Sequence, residues 1–130
     1  MINCLMVGLG GFTGAVIRYL MTGIAIEKMD FPYMTLLINI IGSFIIGIVV
    51  ALSIKSNMLN ESWMLFLKVG LCGGFTTFSS FALETQELFS SGNNFFGIAY
   101  ILLSVTFCIF AVALGQTVVE GLSIIFVMED

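Results

Sequence analysis

Three side chains stand where lipid would exclude them: Arg18, Asn39 and Glu84 each interrupt a long apolar stretch of the chain. An ionisable or amide group at membrane depth is costly, so each is a functional candidate by default. Asn39 offers two amide N–H donors to an anion, or else a hydrogen bond to a neighbouring helix. Arg18 can draw anions towards a vestibule, or extend to the interface and anchor its helix. The densest signal is the run Gly70-Leu71-Cys72-Gly73-Gly74-Phe75-Thr76-Thr77-Phe78-Ser79-Ser80-Phe81. Adjacent glycines weaken a helix, and the Thr and Ser residues after them are good caps for restarting it. Such a break frees backbone carbonyls and amides, which the membrane tolerates only where protein, water or an ion satisfies them. The carbonyl end of the first half-helix suits a cation, and the N–H end of the second suits an anion. Phe78 and Phe81 lie three apart and project to similar sides, and their electropositive ring edges can replace part of an anion's hydration. The plain alternatives are a glycine-lubricated packing helix and a core aromatic pair. The flanking Thr76, Thr77, Ser79 and Ser80 favour the anion path.

Other chemistries lack their parts. The chain has no histidine, so a Ser-His pair is excluded and the commonest metal ligand is missing. Cys4, Cys72 and Cys108 lie far apart in apolar surroundings and read as small buried hydrophobes. Four bases in 130 residues, with a net charge of −4, argue against nucleic-acid binding. Gly8-Leu9-Gly10-Gly11 lacks the Lys-Ser/Thr of a phosphate-binding loop, and the Gly10-xxx-Gly14 spacing is explained by close helix packing. Ser43 and Gly47 form a second small-xxx-small pair. No clustered carboxylates suggest an enzyme.

The elements that position these residues follow from composition. The chain is 59% hydrophobic and 9% charged, with a mean hydropathy of +1.14. A helix crossing the hydrocarbon core takes roughly 20 residues, and four apolar stretches qualify, at roughly 2–26, 33–54, 63–89 and 95–119. The expected fold is an all-α membrane protein of one four-span domain, with the third helix broken at its centre. The N-terminus lacks a basic region before its apolar stretch and reads as the first span, not a cleaved signal. Lys28 and Lys55 fall in loops on opposite sides, and Lys68 lies about a turn inside the third span. So weak a bias suits a chain that inserts either way round and pairs with an inverted copy; orientation by other signals is the alternative.

With these motifs in order, the chain resembles the CrcB family, the Fluc fluoride channels, over essentially its whole length. The matching elements are Gly10 to Tyr19, Thr35 to Phe44 and Gly73 to Phe81. The resemblance implies an antiparallel, dual-topology homodimer in the cell membrane, with two fluoride pores and a central structural sodium ion. By that analogy the backbone carbonyls of Gly73 and Thr76 hold the sodium. Asn39 is an anion donor, and Phe78 and Phe81 are the phenylalanine pair beside the fluoride path. Ser79 and Ser80 share that stretch, with serine at position 80 where the family usually has threonine. Tyr100 and Ser104, one turn apart, match a polar track on the fourth span, while Arg18 and Glu84 match polar residues of the pore mouth. Fluoride is small and strongly hydrated, so several donors and a nearby buried cation make sense of its passage through a bilayer. Transport would be passive.

Two rival functions share parts of this sequence pattern. A small proton-coupled exporter shares the four-span, antiparallel plan but needs a carboxylate embedded in its first span, where this chain has none before Glu27. In an assembly subunit, Asn39 and the run in span three would only join helices.

Overall fold

The computed structural model describes residues 1–23, 31–56 and 60–128, and these are helical throughout apart from short connections. The elements are α1 (Ile2–Gly23), α2 (Tyr33–Ser56), α3 (Glu61–Met64), a π-helical stretch π1 (Leu65–Cys72), α4 (Gly73–Phe75), α5 (Phe78–Ser90) and α6 (Asn94–Met128). Four segments are long and apolar enough to cross a membrane: Ile2–Gly23, Tyr33–Ile54, Glu61–Ser90 and Asn94–Leu122. The last helix continues past Val119 to Met128, through a sequence that holds no proline to stop it. The expected loop of Glu27, Lys28 and Asp30, the end of the first span at Ile26 and the side chain of Lys55 lie outside the described residues.

Local chemistry sets the ends of these helices. Asn60 opens α3 by accepting the Trp63 N–H at 2.9 Å. At the other end of the third span, Gly92 takes φ 82°, a left-handed conformation that glycine adopts without Cβ strain. Its N–H reaches Phe89 O at 3.1 Å and the Asn93 N–H reaches Leu88 O at 2.9 Å, closing α5 as a Schellman motif and turning the chain into α6.

Helix packing rests on glycine contact. A Cβ added at Gly10 or Gly14 would fall on the Phe66 or Leu71 carbonyl oxygen, and one at Gly74 on that of Gly11. These approaches lay α1 directly against π1 and α4. Gly47 meets the Val112 carbonyl and Gly115 meets that of Phe44, which joins α2 to α6 in the same way. The expected close packing at Gly10, Gly14 and Gly47 is what the helices display. Large apolar side chains meanwhile point outward on every span, among them Phe12, Leu20, Leu83, Phe95 and Phe110. That outward face suits a chain whose solvent is lipid.

The third span departs from α geometry in two places. Leu65–Cys72 winds as a π-helix, a form that leaves no mark in this largely apolar sequence. Thr76 (φ −77°, ψ 155°) and Thr77 (φ −146°, ψ 112°) are extended, while Gly73 and Gly74 remain helical. The glycines are therefore not where the backbone straightens. Gly74 lies against α1 with no space for a side chain, and the two threonines that follow find partners elsewhere.

Candidate functional site

The extended backbone of Thr77 is held by a side chain from the neighbouring helix. Asn39 Oδ1 accepts the Thr77 N–H at 2.8 Å, and Asn39 Nδ2 donates to Thr77 O at 3.2 Å. A carboxamide matches both halves of a peptide group, so Asn39 replaces the bond that the Thr77 N–H gives up and adds a donor to the N-cap carbonyl of α5. One Nδ2 hydrogen remains for another acceptor. Thr77 in turn caps α5: its Oγ1 accepts the Ser80 N–H at 3.1 Å, donates to Ser80 Oγ at 3.1 Å and lies 3.2 Å from Ser79 Oγ. The first-turn amides of Phe78 and Ser79 have no intrahelical acceptor at such a terminus, the polarity that favours anions.

The same geometry releases carbonyls. In a continuous helix the Thr77 N–H would close onto Gly73 O and the Ser80 N–H onto Thr76 O. Asn39 takes the first of these amides and the Thr77 hydroxyl takes the second. Gly74 O is instead reached by Arg18 Nε at 3.2 Å. Arg18 thus places its charge at the carbonyl end of the first half of the span, which complements the helix dipole. The Thr76 side chain turns back to Cys72 O at 2.8 Å.

A cavity of about 350 Å³ opens beside these residues. Asn39, Gly73, Thr76, Thr77, Phe78 and Phe81 line it from one side, and Ser104 and Cys108 of α6 from another. The rings of Phe78 and Phe81 lie 5.4 Å apart at 45°, and Phe81 lies 5.1 Å from Tyr100 at 53°. Phe78 is exposed in the single chain. The Ser104 hydroxyl is buried with no hydrogen-bond partner among the described residues, which in a folded protein calls for an explanation.

Above Ser104 on the same helix, Tyr100 is fully buried and its hydroxyl donates to Glu84 Oε2 at 2.6 Å. The Thr35 hydroxyl donates to Glu84 Oε1 at 2.6 Å. Each carboxylate oxygen thus has a buried hydroxyl donor, from α2 and from α6, so Glu84 ties three spans together. Charge-assisted hydrogen bonds of this length are among the stronger ones available.

The structure brings Asn39, Phe78, Phe81, Ser104, Gly73 and Thr76 to one cavity, with Ser80 on the cap behind it. Tyr100 and Glu84 form an adjoining cluster, and Arg18 lies on the opposite, α1-facing side of α4. Thr35 was not singled out from sequence, although it stands one turn before Asn39, so the spacing held the signal. The reach of Thr77 to Asn39, across 38 positions, left no local trace.

A family model described as CrcB-like protein, Camphor Resistance (CrcB), matches residues 5–116. A fluoride-specific ion channel FluC from Ruminiclostridium cellulolyticum is 43% identical over 125 residues, covering 95% of this chain and 96% of the relative. One of the same name from Shewanella denitrificans is 48% identical over 121 residues, covering 92% and 97% respectively. A third, from Clostridium perfringens, is 41% identical over 114 residues, covering 86% and 89%.

Proposed function

The chain belongs to the CrcB family of multi-pass membrane proteins, and from that premise we propose that it is a fluoride-selective channel that passes the anion down its gradient. The observation that carries this reading is the unpartnered Ser104 hydroxyl on the cavity that Phe78 and Phe81 also line. A dehydrated fluoride needs donors and weakly electropositive edges in quick succession, with no strong fixed charge to trap it. Ser104, the spare Nδ2 hydrogen of Asn39 and the ring edges meet that requirement. Asn39 in this account works twice, as a brace for Thr77 and as a donor to the anion.

The interruption of the third span is read as the device that makes both ends of the path. Gly73 O and Thr76 O, whose helical donors are engaged elsewhere, fit a cation that prefers oxygen ligands. A sodium ion shared with the same carbonyls of an inverted second copy would supply a fixed positive charge that lowers the cost of bringing an anion to that depth. Two copies in antiparallel arrangement, each with its own path, complete the assembly. The exposed ring of Phe78 supports such a partner.

The proton-coupled exporter is disfavoured, because Ile2–Gly23 holds no carboxylate. Bilayer recordings of the purified protein separate the two: the channel reading expects fluoride current that is independent of a proton gradient. Transport that needs an opposing proton gradient would reject it.

A further inference from the structure

Among the described residues, one charged side chain lines the cavity: Lys68. The sequence alone offers Lys68 only as a weak orientation signal near the start of the third span. The structure places it on the cavity wall. Lys68 lies in the π-helical stretch Leu65–Cys72, where i→i+5 hydrogen bonding widens each turn. Residues four and five positions apart then share a face, which aligns Lys68 with Cys72 and Gly73, both of which also line the cavity. In regular α geometry Gly73 would turn away from that face. Lys68 is also exposed, and it stands only seven positions from Glu61, the first residue of its span. Its long stem therefore allows the ammonium to reach water while the side chain stays against the cavity wall. No carboxylate among the described residues lines that cavity to neutralise it.

We propose that Lys68 is a positioning residue for anion capture: its ammonium raises the local concentration of fluoride at the cavity mouth without holding the ion inside. The inference rests on the channel reading above. A flexible, hydrated ammonium at the mouth attracts an anion over a distance set by ionic strength, whereas a fixed charge deep among the rings would bind it. The alternative role is an interfacial anchor that holds the third span at its depth.

The test is fluoride efflux from liposomes containing wild-type protein, Lys68→Gln or Lys68→Arg, at fluoride concentrations low enough that capture limits the rate. Each is measured at ionic strengths of about 10 mM and about 1 M, where the screening length is about 30 Å and about 3 Å. Gel-filtration elution identical to wild type establishes that the variants are folded. The expected result is an efflux about three- to tenfold slower for Lys68→Gln at low ionic strength, converging on wild type at high ionic strength. Lys68→Arg should remain within about twofold of wild type at both, as charge is kept. Equal efflux for wild type and Lys68→Gln at low ionic strength would overturn the inference while leaving the channel reading intact. A loss in Lys68→Gln that is the same at both ionic strengths would also overturn it and indicate the anchoring role. Absence of fluoride efflux from wild-type liposomes would instead defeat the channel reading, and this inference with it.

Discussion

The side-chain amide of Asn39 is paired with the backbone of Thr77 through both of its polar atoms, at 2.8 and 3.2 Å, and this pairing holds the third span out of helical geometry. Asn39 thereby replaces the helical hydrogen bond that the Thr77 N–H gives up and adds a second donor to the Thr77 C=O. Asn39→Ala should leave the Thr77 N–H without a partner and remove one of the two donors to the Thr77 C=O, a loss of about 1–3 kcal/mol from the unsatisfied amide. Thermal unfolding in detergent should show the lower stability, and fluoride flux should fall with it. An Asn39→Ala protein as stable as wild type would show that the pairing does not brace the span.

Phe78 and Phe81 differ from ordinary core aromatics in lining a cavity together with hydroxyl groups. Phe78→Ile and Phe81→Ile keep apolar bulk but remove the electropositive ring edge. Edge contacts contribute about 0.5–1.5 kcal/mol, so each substitution should slow fluoride efflux by about two- to tenfold. Assembly should be unchanged by gel filtration. Conduction unaltered in both variants would reject their assigned role.

Most of the fold is legible in the sequence because lipid imposes simple rules. Span number follows from the length of the apolar runs, and the close contacts at Gly10, Gly14 and Gly47 follow from small residues one turn apart. The special character of the Gly70–Phe81 run is legible too, as are Asn39, Arg18 and Glu84 as residues misplaced in lipid. The exact site of the backbone change is not. Gly73-Gly74 has the weaker intrinsic propensity, yet the extended residues are Thr76 and Thr77, since Asn39 and the Thr77 cap supply alternative partners only there. The π-helical turn and the part played by Thr35 depend on contacts between spans, which periodicity within one span does not encode.

Glu84 joins α2, α5 and α6 through Thr35 and Tyr100. Glu84→Gln replaces one acceptor oxygen by an N–H2 group and removes the charge. Hydrogen bonds to charged groups contribute about 1.5–3 kcal/mol, so a stability loss of about 2 kcal/mol is expected. Thr35→Val and Tyr100→Phe should each destabilise the protein, and either combined with Glu84→Gln should cost less than the sum of the single changes. Strict additivity in unfolding measurements would show that the three side chains do not act as a unit.

Two glycines of α1 should respond in opposite ways. Nothing lies within 4 Å of a Cβ added at Gly8, so Gly8→Ala should be neutral or gain up to about 1 kcal/mol of helix propensity. Gly14→Ala would drive a methyl group into the Leu71 carbonyl and separate α1 from the third span. Its yield of folded protein should fall sharply, as read by gel filtration and thermal unfolding. Equal tolerance at both positions would contradict the packing of α1.

The most direct measurement is anion retention by liposomes that contain the purified, folded protein and are loaded with either fluoride or chloride. With a potassium ionophore to balance charge, the account predicts rapid fluoride release to an external electrode and retention of chloride. Retention of fluoride, or release of both anions at similar rates, would contradict it.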